Sequence, residues 1–475
     1  MRKSDVNHQR WREIILPLYS YRMKMPGGES YTQLVYSKPV SVALGAGGWL
    51  FLFWRLAVQK FFDEILPDRG IKYVFVWGLL TSFLAFLTVL PGGCGLKKSE
   101  VSDVTVSPSE TAVEATERVC GISLEMLKKA GLQVEWSPLR LSMTRGACVE
   151  RIFYHYGQLY VLDDHNRLYA IDGRKGILRW DQVLADSQKN CSTAEYYKAQ
   201  ISLEDKVVLE DRMLFVLGNT IVEVRESNGE ITHKLSVNFA PNTTAAGTTE
   251  RFFIGSDDSR FYALRRSDGI VLWRSVQPDD PVGRVTIQED KVYFVCKDGT
   301  LYVSQTDKRD LVWKAVTAGE MSGVAIDGNQ CFLPSGDTAL YCLESQSGKL
   351  LWKYLSGGSL LEVPIVTKDF VYQRINQTSL LCLDRKPSGK KAPDGQIEGV
   401  LRWELKDGNC LLAENGATSY AMTRDKELVV MDNINGKRIS SFYVPSIDYY
   451  ACNNEDTLIF LAEKEGTVLA VKPKR

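Results

Sequence analysis

The side chains able to do chemistry are few and scattered. Four histidines (His8, His155, His165 and His233) and ten cysteines stand in 475 residues, and no two cysteines are separated by two residues. Zinc and dithiol centres need ligands at such short spacings, so neither is indicated. His155, His165 and His233 fall in separate segments and share no metal-binding face. Phosphate-loop, His-Glu-x-x-His and Gly-x-Ser-x-Gly motifs are absent. Two acidic pairs, Asp163-Asp164 and Asp257-Asp258, offer carboxylates to a cation. Each sits where a hairpin should turn, however, and aspartate serves turns by accepting backbone N–H bonds.

Cys331 and Cys342 flank a turn centred on Gly336-Asp337. A two-residue hairpin would make them direct cross-strand partners, with Cβ atoms about 4.5–5.5 Å apart. A disulfide needs roughly 3.5–4.5 Å, so a bridge is a candidate in an oxidising compartment, beside the reading as two buried thiols. Cys296 and Cys382 fall in predicted strands as small core residues. The cluster Arg385-Lys386…Lys390-Lys391 reads as a partner-binding loop or as a solvated one. Lysine plus arginine equals aspartate plus glutamate at 58 each, so no global field draws the chain to nucleic acid. Hydrophobic content of 44% with 24% charged residues describes a globular protein.

What must position these side chains is a repeat. Leu168-Tyr-Ala-Ile-Asp-Gly-Arg-Lys-Gly-Ile-Leu-Arg-Trp180 reads as strand, turn and strand, and recurs at Phe261–Trp273 and Leu340–Trp352. Trp180, Trp273, Trp313, Trp352 and Trp403 each follow by four residues a turn position held by Gly176, Gly269, Arg309, Gly348 and Gly399. Gly229 and Gly436 place His233 and Ser440 in the same slot, with Phe442 the nearest aromatic to the latter. A period of about 40 residues fits one four-stranded propeller blade. Insertions near Asp186–Glu204 and Arg385–Glu398 stretch two units. Each blade alone exposes an apolar face, so stacking creates the core, and a flat indole suits the wedge between neighbours. Asp172 becomes Arg265 and Glu344 in the copies, as expected of a solvent-facing strand end.

Seven units end by Tyr443. An eighth begins at Thr457 and lacks its tryptophan strand, which Gly131-Leu-Gln-Val-Glu-Trp136 can supply from the other end. The expected fold class is therefore all-β: an eight-bladed β-propeller of four-stranded antiparallel blades, closed by an N-terminal strand. Trp136, Trp180, Trp273, Trp313, Trp352 and Trp403 are its blade-wedge residues. Closure leaves no free sheet edge.

An α-helical membrane-anchor region is expected ahead of the ring. Residues 1–38 are basic; residues 39–92 hold two apolar stretches, Val40–Trp54 and the uncharged Tyr73–Leu90, the second close to the ~20 residues a membrane helix needs. One span with the basic end inside exports the ring, and two return it to the cytoplasm; export is the reading adopted. Cys94 in Leu-Pro-Gly-Gly-Cys-Gly is a candidate for lipidation, against an ordinary turn. Residues 93–128 form a linker of poor hydrophobicity with a short helix capped by Ser123 and closed by Gly131, and residues 129–475 form the propeller.

The Leu-Tyr-Ala-(Leu/Ile)-Asp…Gly-Lys-x-(Leu/Ile)-x-Trp unit resembles the repeat of PQQ-like, quinoprotein-type eight-bladed propellers over roughly residues 131–475. Within that superfamily the array looks most like the propeller lipoprotein of the outer-membrane β-barrel assembly machine. That resemblance implies a membrane-tethered, periplasmic, non-catalytic scaffold with protein partners and no cofactor. The long basic N-terminus and the extra apolar stretch depart from it. The alternatives are a quinoprotein dehydrogenase holding PQQ and calcium, which would require an adjacent Cys-Cys pair that is missing here, and a ligand-binding sensory propeller.

Overall fold

The computed structural model describes residues 118–474 except 186–189, 204–205, 387–388, 390 and 392–394, together with the antiparallel strands Tyr21–Lys24 and Ser30–Gln33. Two compact units divide the chain, Met1–Glu110 and Thr111–Arg475. The apolar stretches of 39–92, Cys94 and most of the linker lie outside the described residues. Among the described residues no helix is long and apolar enough to cross a membrane.

The second unit is built from eight four-stranded antiparallel sheets. We number them as blades I (149–183), II (195–236), III (246–276), IV (281–316), V (325–355), VI (365–406), VII (408–443) and VIII (449–473). Blade VIII takes its fourth strand, Leu132–Arg140, from the start of the unit, where it pairs with Thr467–Pro473. The ring is thus closed by the strand that the sequence places there. Just ahead of it, helix α1 (Leu124–Lys129) follows Ser123, whose side chain makes no capping bond. Gly131 turns the chain at φ +70°, and Lys129 pairs with Glu125 one helical turn back.

Burial follows strand order. Gln158–Asp163, the second strand of blade I, is buried throughout, whereas the fourth strand, Ile177–Val183, is largely exposed. Apolar residues therefore gather between blades, and eight clusters fill the seams. No single central core exists: the axis is left to polar groups.

Each tryptophan of a fourth strand docks on the next blade. Nε1–H of Trp136 donates to Gly173 O (2.9 Å), Trp180 to Glu226 O (3.0 Å), Trp313 to Ser345 O (3.1 Å), Trp352 to Arg385 O (3.3 Å) and Trp403 to Asn433 Oδ1 (2.9 Å). A β-bulge next to each fourth-strand tryptophan from Trp180 to Trp403 re-aims it, and the opposing residue is small: Ala170, Ala263, Val303, Cys342 and Cys382 in turn. The turn glycine has a steric reason as well as a conformational one. At Gly176 (φ +66°) a Cβ would sit 2.4 Å from the Trp136 ring, and at Gly348 (φ +72°) 2.6 Å from that of Trp313. Blade IV departs from the pattern with Arg309. Trp273, packed in the seam that faces blade IV, has no acceptor for its Nε1–H.

The expected pairing of Cys331 with Cys342 is corrected. Ser335 N–H donates to Ala339 O and Pro334 faces Leu340, so the turn is the three residues Gly336–Thr338, and Cys331 opposes Leu343 while Cys342 opposes Phe332. A one-residue change of register sends neighbouring side chains to opposite faces. Cys331 accordingly packs in the seam with blade IV and Cys342 in the seam with blade VI, and both are free thiols. Among the described residues the disulfide is Cys410–Cys452, with Cα atoms 6.3 Å apart and a sequence separation of 42.

Candidate functional site: the axial face

Antiparallel order puts the turns between first and second strands, and between third and fourth, on one face of the ring. The first strands line the axis. Their residues do not follow the repeat, and here charged groups from distant blades meet.

Glu195 opens the first strand of blade II and is 6% exposed. Arg284, from the first strand of blade IV, reaches across blade III and clasps it in a fork, with Nε 2.8 and 3.1 Å and Nη2 2.9 Å from the carboxylate oxygens. Burial pushes Glu195 above the ordinary carboxyl range in spite of Arg284, while Glu195 keeps Arg284 firmly charged. Glu195 is buried while Arg284 keeps access to solvent, so it is the loss of Arg284 that would strand a buried carboxylate. On the opposite side, Nδ1 of His155 lies 3.2 Å from Glu455 of blade VIII, and its ring packs 3.4 Å, centroid to centroid, from Tyr196. Burial works against the Glu455 anion, but His155 and the N–H groups of Tyr156 and Gly157 hold its pKa below the usual range. Asn454 donates to Val366 O (2.9 Å), passing over blade VII.

Two cavities open at this axis. One of about 590 Å³ is bordered by Arg284, Asp327, Lys368, Arg385 and Asn454. The other, of about 380 Å³, lies among the turns of blades VI, VII and VIII and carries Lys368, Asp369, Glu414, Glu455 and Asp456. Burial raises the pKa of Glu414, with Asp369 adding to the effect. Two of these carboxylates are held by tyrosines: Glu414 accepts from Tyr372 Oη (2.8 Å) and Asp456 from Tyr154 Oη (2.7 Å). A third cavity of about 460 Å³, at the seam of blades II and III, is bordered by Arg251, Arg265, Arg266 and His233. Carboxylates thus predominate around the second cavity, whereas the first and third mix arginines with acidic residues, and Lys368 borders both axial cavities.

A ribbon extends from blade II. The second strand of blade II, Lys206–Leu217, is twice the length of the third, Thr220–Arg225, and its first half pairs with Lys198–Leu203 alone. The insertion near Asp186–Glu204 thus becomes in part a two-stranded projection. Val207, Val208 and Leu209 are exposed on it, at 69%, 41% and 59%.

The chemically suggestive residues of the sequence are dispersed. Asp163, Asp164 and His165 lie within 4.8 Å of one another, the arrangement closest to a metal site among the described residues. Asp163 is spent on its own turn, accepting the N–H groups of His165 (3.0 Å) and Arg167 (2.8 Å). Asp258 is likewise occupied by Arg260 and by Tyr262 Oη (2.9 Å). Arg385 does not belong to a solvated loop: it donates to Gln330 Oε1 (2.7 Å) and Asp327, tying blade VI to blade V. Lys386 and Lys391 are exposed. Glu195, Arg284, Glu455 and the Cys410–Cys452 pair went unread because no local pattern marks them. The cysteine pair did leave one signal: a separation of 42 residues is one repeat, which places both at equivalent points of neighbouring blades.

A family profile described as "Outer membrane protein assembly factor BamB" matches residues 220–323 and 302–446. No curated protein matches the chain. Among solved structures, BamB from Moraxella catarrhalis is 12% identical with a TM-score of 0.52, covering 72% of this chain and 97% of that one. The computationally designed Ika8 protein is also 12% identical, with a TM-score of 0.50 over 70% and 98% of the two chains. At such identity the likeness concerns the fold, and a designed protein among the matches illustrates how fold and function separate. The chain carries a PQQ-like eight-bladed propeller that resembles BamB.

Proposed function

We propose that this protein is a membrane-tethered, non-catalytic propeller scaffold that binds protein partners through its axial face, and that it serves outer-membrane protein assembly. The observation that carries this reading is the ribbon Lys198–Asp211. It departs from the blade repeat and presents apolar side chains beside a charged axial mouth. Exposed apolar groups ringed by charge are what a protein partner covers. The name printed for the matching family and the solved BamB structure supports the assembly role. The disulfide supports an extracytoplasmic, periplasmic location, since such bonds persist in oxidising compartments. Tethering is assigned to residues 39–92 or to a lipid on Cys94.

Co-purification from membranes tests the reading. The chain with Val207→Ser, Val208→Ser and Leu209→Ser is expected to lose its protein partners while its melting temperature stays within about 2 °C, as surface changes of this kind rarely move stability much. A quinoprotein enzyme would instead show a saturable spectral change with PQQ and calcium and would oxidise alcohols; that result, without any recovered partner, sinks the scaffold.

A further inference from the structure

We propose that the Cys410–Cys452 disulfide is a reducible clasp on the seam between blades VII and VIII, opened by a dithiol that attacks the sulfur of the exposed residue Cys452, and that its redox state sets how tightly the axial mouth is held there.

This seam is built differently from most others. Ser440 and Phe442 stand where a tryptophan would dock, so the indole lock of five other seams is missing. Blade VIII, on one side of this seam, is itself assembled from both ends of the propeller. The covalent bond stands in place of the indole, at the inner strands instead of the rim. Cys410 lies in the first strand of blade VII and is 6% exposed, whereas Cys452, just past the first strand of blade VIII, is exposed. Attack is therefore directed to one sulfur. A dithiol's thiolate bonds to the sulfur of Cys452 and breaks the S–S bond; Cys410 leaves as a thiolate and takes up a proton. The dithiol's second sulfur then displaces Cys452, so two electrons pass to the protein and the dithiol becomes a disulfide. The other described cysteines are free thiols and offer the dithiol no S–S bond to attack.

The consequence is local. The bridged segments continue into Glu414 and Gly416 on one side and into Asn454 and Asp456 on the other, which border the 380 Å³ cavity. A hydrogen bond from Asn409 to Tyr450 remains after reduction, so the seam loosens without parting. The inference does not depend on the scaffold role.

Hydrogen exchange of the full-length protein in detergent, with and without dithiothreitol, reads it directly. Reduction is expected to speed exchange at least tenfold in residues 408–416 and 449–458, to leave blades II to V unchanged, and to lower the melting temperature by roughly 5 °C or more, given the entropy of a loop of this length. Cys452→Ser should exchange like the reduced protein and no longer respond to dithiothreitol, while Cys331→Ser should respond as the parent does. Peptide mapping without reduction should recover the segments of Cys410 and Cys452 joined. Labelling of both thiols in unfolded, unreduced protein would overturn the proposal, as would unchanged exchange on reduction.

Discussion

The seam between blades V and VI and the seam between blades II and III hold the same kind of joint by opposite chemistry. In the first, Trp352 is fully buried, faces the small Cys342 across the sheet and docks on the turn of the next blade. In the second no tryptophan exists: Leu235 lies under Gly269, and the joint is made by Glu223, fully buried, clasped by Arg266 of blade III through two bonds of 2.7 Å. Tyr197 Oη (2.7 Å) and the Thr232 hydroxyl (2.5 Å) add to the cradle, and Arg212 stands 3.4 Å away. The difference teaches that the repeat specifies a place for a lock, not the lock itself. An apolar wedge tolerates acid and salt, whereas a buried carboxylate makes its seam titratable.

Removing either lock should produce the largest effects. Trp352→Ala is expected to cost about 3–5 kcal/mol, the range for deleting a fully buried aromatic side chain, measured by denaturant unfolding. Arg266→Met should cost up to a similar ~3–5 kcal/mol, because the buried Glu223 loses its two short bonds to a cation and keeps only Arg212 at 3.4 Å. The two variants should part company in their pH response. Burial opposes the Glu223 anion, yet the bonds from Arg266, Thr232 and Tyr197 bring its pKa down from 4.5 to about 2. A carboxylate depressed on folding lends stability above its unfolded pKa and loses it as pH falls through the folded value. The parent and Trp352→Ala should therefore share a loss of stability between about pH 5 and pH 2, and that component should be smaller in Arg266→Met, where only Thr232, Tyr197 and Arg212 still favour the anion. An acid profile of Arg266→Met parallel to that of the parent would show that the seam does not hold its carboxylate as described.

A smaller effect separates the tryptophans themselves. Trp403→Phe leaves the buried Asn433 Oδ1 with one donor fewer, though the Ser419 hydroxyl still reaches it at 2.7 Å, and is expected to cost about 1–3 kcal/mol. Trp273→Phe removes an N–H with no acceptor and should cost under about 1 kcal/mol beyond the loss of area, read from the same unfolding curves. Equal costs for the two would mean that the indole N–H bonds do not strengthen the seams.

Most of the ring was legible because its information is local and repeated. The turn glycine, the bulge and the tryptophan lie within a few residues of one another, as in Gly176–Trp180, and recurrence separates architecture from accident. The closing strand Leu132–Arg140 was readable for a related reason: a missing fourth strand at one end and a spare one at the other have only each other to pair with. The cysteines show where this breaks down. Cys331 and Cys342 lie on one hairpin, and only the length of its turn, three residues instead of two, decides whether they meet. The axial residues were harder still, since strand periodicity reports burial against a neighbouring blade and says nothing about who stands across the axis.

From the sequence alone come the blade, its number, the closure of the ring and the place of each wedge, because sterics and hydrophobic periodicity act over a few residues and repeat. Only the tertiary structure decided that Glu195 meets Arg284 over 89 positions, that Asn454 meets Val366 over 88, and that Cys410 finds Cys452. These contacts exist because stacking bends the array into a circle, and a circle brings together at its axis residues that no local rule connects.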